Sequence, residues 1–161
     1  MKFSRILCAL LAMLFVLSLA ACGGNVTSPD FSFRITGSAG EAVLTPGQPV
    51  GTSLDGLGTY EYSESGSCGG IPGNDEVYRF AGFTVYTTPG KKDQLIAKIE
   101  LTDDTYTTSE GVRVGDSRES VIEKMGTGEE TGDNLVYYGG QTRLTFLFRN
   151  DAVVGISYTE Q

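Results

Sequence analysis

The sequence predicts an α+β fold: one antiparallel sheet built from two helix-plus-β-meander units, with the helix of the first unit degenerate. Three observations carry this expectation. Residues 94–101, 144–148 and 152–158 alternate apolar and polar side chains with the period of half-buried strands. Arg118 to Met125 places Val121, Ile122 and Met125 on one helical stripe. Segments at about 46–102 and 111–159 are similar to each other, the signature of an internal repeat.

The elements follow in chain order. Lys2 and Arg5 precede an apolar run from Ile6 to Ala21, too short for a membrane span and matching a cleaved export signal. Residues 1–21 are therefore read as a signal and 22–30 as a flexible tether, because GGNVTSPD is small and polar with one proline. The rest, 31–161, forms a single domain. From Phe31 to Leu44 scattered apolar residues allow one or two strands, and Val77 to Phe80 is a strand of β-favouring residues. Phe83, Val85 and Thr87 lead through a Pro89-to-Asp93 loop into the strand at Gln94, which makes a hairpin. The helix begins behind Asp116 or Ser117, either able to cap its first free amides, and stops at Gly126. Leu135 to Tyr138 is again a strand, and Arg149-Asn150-Asp151 turns the last hairpin.

The repeat is read from three correspondences. Val50-Gly51-Thr52-Ser53 parallels Val114-Gly115-Asp116-Ser117, Val77-Tyr78 parallels Val136-Tyr137, and Ile96 to Leu101 parallels Val153 to Tyr158. Asp55-Gly56 interrupts the first unit where the second has its helix, which reduces that helix toward a turn.

Composition narrows the chemistry. The chain of 161 residues has 12 Lys+Arg against 20 Asp+Glu, a formal charge of −8, and no histidine. Ser-His-Asp and Cys-His catalysis and His-ligated zinc are excluded at once. Loss of the signal with Lys2 and Arg5 makes the balance more negative still, so nucleic acid and anionic headgroups are repelled.

Leu19-Ala20-Ala21-Cys22-Gly23 resembles the lipobox of bacterial lipoproteins. That resemblance implies cleavage after Ala21, a lipid on Cys22, and a protein exported and anchored to the outer face of the cell membrane. Gly111-Val112-Arg113-Val114-Gly115-Asp116-Ser117 with Met125-Gly126 resembles the helix entry of small exported proteins with the β-lactamase-inhibitor-protein-like fold, shared by the SmpA/OmlA group of envelope lipoproteins. Ser67-Cys68-Gly69-Gly70, Asp75-Glu76-Val77-Tyr78, Asp103-Asp104 and Thr107 to Gly111 are similar to lipoproteins of Gram-positive gut bacteria. These resemblances inform fold, and no family binding residue carries over.

Sites of chemistry are few. Cys68, between glycines, is a candidate free thiol, but no Lys, Arg or His stands within eight residues to activate it. Asp75-Glu76, Asp103-Asp104 and Glu129-Glu130 invite hydrolase or calcium readings, yet neighbours on a strand point to opposite faces and no EF-hand spacing occurs. Solvated turn and edge charges account for them, and no metal or cofactor is implied. Tyrosine makes the stronger case: Tyr60, Tyr62, Tyr78, Tyr86, Tyr137 and Tyr138 form the candidate binding surface, rigid and amphipathic where they face outward. The sequence thus reads as a non-enzymatic, lipid-anchored interaction module for a protein or envelope ligand. The alternatives are a structural factor in envelope assembly and, behind it, a carboxylate-based hydrolase.

Overall fold

A computed structural model describes residues 30–68 and 70–161; the expected export signal, Cys22 and nearly all of the expected tether lie outside the described residues. Ten strands and one helix follow in order: β1 (Phe33–Gly37), β2 (Gly40–Leu44), β3 (Glu61–Gly66), β4 (Asn74–Phe80), β5 (Phe83–Pro89), β6 (Gln94–Leu101), α1 (Arg118–Met125), β7 (Glu129–Thr131), β8 (Asn134–Gly139), β9 (Thr142–Arg149) and β10 (Ala152–Glu160). Strands β3 to β10 form one antiparallel sheet in the order β3-β4-β5-β6-β10-β9-β8-β7, and β1 with β2 makes a separate hairpin.

The expectation of an α+β fold made of two helix-plus-meander units is overturned: the protein is mostly β. Among the described residues α1 is the one α-helix, and only Val121 of it is fully buried. The reason lies at Gly51 and Gly56, which take φ of 46° and 73°, values that break a helix between Val50 and Leu57. Consecutive turns result there. They have a use, because the Gly56 carbonyl accepts from both the amide (2.8 Å) and the hydroxyl (3.1 Å) of Ser38, tying the turn to the β1–β2 hairpin.

The sheet does the work that helices were expected to share. On its inner face Phe83, Val85, Ile99, Leu101, Ile156, Tyr158, Leu144 and Phe146 alternate inward across the central strands. Phe33, Ile35 and Leu44 of the hairpin, with Leu54, Val112 and Val121 from the loops and helix, cover that face and close one core. The outer face stays open to solvent, as an antiparallel sheet permits.

At the centre β6 and β10 meet with Ile99 opposite Tyr158 and Leu101 opposite Ile156. Each seam strand carries one bulge, at Ala97 and at Val154, where the register with its outer neighbour shifts. The same step along the chain carries Ala97 onto Val154, Ile99 onto Ile156 and Leu101 onto Tyr158. The segment leading into each half also docks alike. Gly47 N–H donates to the Ile96 carbonyl and Ile96 N–H to that of Gln48; Gly115 N–H donates to Val153 and Val153 N–H to Asp116. These bonds equate Gly47-Gln48 with Gly115-Asp116, not Val50-Gly51 with Val114-Gly115 as the sequence comparison had it. Val50 then stands where Arg118 starts α1, and the first half continues into turns.

Candidate functional site

Strands β3 and β4 extend the sheet beyond the elements that cover its inner face. Every residue of β3 is exposed. On the inner side of this wing, Tyr62 lies opposite Tyr78 and Glu64 opposite Glu76. Tyr60, just before β3, packs on Tyr78 (ring centroids 5.3 Å) and Phe80 (5.2 Å), while Tyr62 packs on Tyr78 (5.4 Å). Phe80 then stacks on Phe83 at 4.5 Å, and Phe83 meets Phe33 and Tyr106. A continuous aromatic ladder therefore runs from solvent into the core. Tyr60 and Tyr62 keep 48% and 49% of their surface exposed, although the rings beneath them are fixed. Edge and tilted ring contacts of this kind hold position beyond what area burial supplies.

Two carboxylates fix the phenols. Tyr62 donates to Glu64 Oε2 (2.8 Å) and Glu76 Oε1 (3.3 Å), and Tyr78 donates to Glu76 Oε2 (2.7 Å). The bond to Glu64 is the largest of the effects that push the Tyr62 hydroxyl up to about 12. Burial first, then Glu76, raises that of Tyr78. Both stay neutral donors at any physiological pH. Neither Glu64 nor Glu76 has a cationic partner among the described residues, since Arg79 points to the other face and donates to Ser63 (3.1 Å). The two carboxylates sit on an open strand pair without walls to exclude water, which gives acid–base chemistry no shelter.

The remaining sequence candidates are scattered. Tyr86 is on the outer face, where Lys98 lies 4.1 Å from its ring centroid and its hydroxyl donates to Glu100 (2.7 Å). Burial, then that bond, lifts its hydroxyl to about 12. Lys98 also donates to Glu100 (2.8 Å). Burial alone would raise the Glu100 carboxyl, but the bonds from Lys98 and Tyr86 hold it below its usual range. Tyr138 is 49% exposed on the same face but four strands away, about 19 Å at the usual strand spacing. Tyr137 is a core residue, 8% exposed, and donates to the Gly126 carbonyl (2.8 Å) that ends α1, so it offers no binding surface. Cys68 is exposed in the loop joining β3 to β4. Of the paired carboxylates, Asp75 accepts from Thr88, Asp103 caps Thr105, and Glu129 and Glu130 are exposed on β7. No group of three potential metal ligands forms among the described residues.

Sequence reasoning found Tyr60, Tyr62 and Tyr78, set Glu76 aside with Asp75 as solvated charge, and missed Phe80 and Glu64, which with Glu76 complete the wing. The alternation Tyr60-x-Tyr62-x-Glu64 was the available signal, hidden because β3 has no apolar side to mark it as a strand. Compared with known proteins, the chain matches no family model, no curated protein and no solved structure.

Proposed function

We propose that this is an exported, lipid-anchored cell-envelope protein that acts as a non-enzymatic interaction module, its contact surface being the aromatic wing. The observation that carries the reading is the half-exposed pair Tyr60 and Tyr62 on a ladder rooted in the core. Aromatic side chains held rigid before contact lose little entropy on binding. The Lys2 to Cys22 pattern supports the anchor, with several acyl chains needed for stable attachment. Absence of histidine, and carboxylates engaged by tyrosine and lysine, support binding over catalysis. Two measurements test this. Metabolic labelling with an alkyne fatty acid should mark the protein and fail for Cys22→Ala. Photocrosslinking from position 60 in the native envelope should give one dominant adduct that Tyr62→Ala weakens; a smear unchanged by that substitution rejects the module.

A further inference from the structure

We infer that the free edge of β3 takes an extended, basic segment of a partner protein as a ninth strand, with lysine or arginine side chains seated over Tyr62 and Glu64. The inference rests on the interaction-module reading and names its partner's chemistry. β3 ends the sheet, and no described strand pairs with its outer side. Its amides are orderly: Ser67 N–H donates to the Gly73 carbonyl (3.1 Å), in register with the Glu61–Arg79 and Ser63–Val77 pairs. Alternation then turns the amides of Tyr62, Glu64 and Gly66 outward. The residues that offer backbone bonds are thus those whose side chains line the inner side of the wing. An added strand would read both together, the usual division between main-chain affinity and side-chain specificity in strand addition.

Charge selects the occupant. Glu64 and Glu76 face each other across adjacent strands, a destabilising arrangement that no cation of the described fold relieves. Tyr62, which donates to both carboxylates, keeps 49% of its surface exposed, and an aromatic ring beside carboxylates is a surface that a cation prefers. A basic side chain one strand over would neutralise the pair and lie against Tyr62. Acidic or neutral strands gain nothing comparable, so edge carboxylates that deter general aggregation admit this partner.

The test uses the full-length chain in detergent and a synthetic heptapeptide alternating lysine with threonine and valine. Amide NMR or fluorescence titration should show saturable binding, and the same residues with all lysines in one block, or with glutamate for lysine, should bind far less. Glu64→Gln and Tyr62→Ala should each weaken the complex about threefold, the scale of an exposed charge or cation–π contact. Gly66→Pro, which removes one outward amide and leaves charge intact, should also weaken it; an ordinary unfolding midpoint for each variant confirms that it folds. Equal affinity for the block isomer, or no binding of the alternating peptide at millimolar concentration, overturns strand addition. Should that happen while crosslinking from position 60 still gives its dominant adduct, only the strand-addition inference falls; loss of both takes the module reading with it.

Discussion

Tyr158 shows how a single group can be misfit in a well-packed core. Its ring is 1% exposed between Ile99 and Leu144 and lies 6.3 Å from that of Phe33, yet its hydroxyl has no hydrogen-bond partner among the described residues. Burial pushes that hydroxyl far above the usual phenol range, so it is a neutral donor with nothing to donate to. An unsatisfied buried hydroxyl costs on the order of 1–3 kcal/mol. Tyr158→Phe should therefore raise stability by about 1 kcal/mol, seen as a higher urea midpoint at unchanged m-value. Tyr137 offers the contrast, because its hydroxyl caps the Gly126 carbonyl, and Tyr137→Phe should lower stability by about 1 kcal/mol in the same assay. Opposite signs from the same chemical change would locate the difference in the partner alone.

At the scale of elements, the segment from Val50 to Leu57 separates what the sequence could tell from what it could not. Strands β5, β6, β9 and β10 were legible because alternation, Pro89-Gly90 and Asn150-Asp151 are local signals; the last two residues indeed turn with φ of 50° and 63°. Helix α1 was legible too, with Ser117 accepting from Ser120 N–H as its cap, while Asp116 instead accepts from Lys124 (2.8 Å). Illegible were β3 and β7, whose residues are all exposed and carry no buried period. Asp55-Gly56 did signal a turn in place of a first helix, but its tie to the β1–β2 hairpin was illegible, because the Gly56 contact with Ser38 joins residues distant in the chain. A helix and a clamp make opposite predictions here. In a helix Gly56→Ala would stabilise by about 1 kcal/mol, from propensity alone. In the observed turn φ is positive and an added Cβ would stand 2.7 Å from that of Ala39, so the substitution should destabilise by about 1 kcal/mol or more. Thermal melting of that one variant decides between them.

The whole molecule is one core shared by both halves of the sheet, the β1–β2 hairpin and α1, and its dependence on pH follows from which charges that fold engages. Asp116 sits where burial would raise its carboxyl, but the Lys124 ammonium and the Arg113 amide outweigh it and hold the group below its usual range. Glu100 is held down in the same way by Lys98 and Tyr86. A carboxyl depressed in the folded state binds its proton more readily once unfolded, so acid favours unfolding. The stabilisation from both is complete above the unfolded value of about 4 and is lost as pH falls through the folded one. With no histidine, no side chain has its ordinary transition between pH 6 and 7.5. The urea midpoint should consequently stay level across that range and drop below about pH 4. Asp116→Asn should lower the plateau slightly and flatten the acid drop, because it removes the proton uptake but takes from Lys124 its carboxylate, leaving its bond to the Gly111 carbonyl. Since Asp116 binds the lead-in of one half and Glu100 lies on the seam strand of the other, tyrosine fluorescence and far-UV circular dichroism should report the same acid midpoint. Two separate midpoints would mean that the halves unfold independently and that the shared core does not couple them.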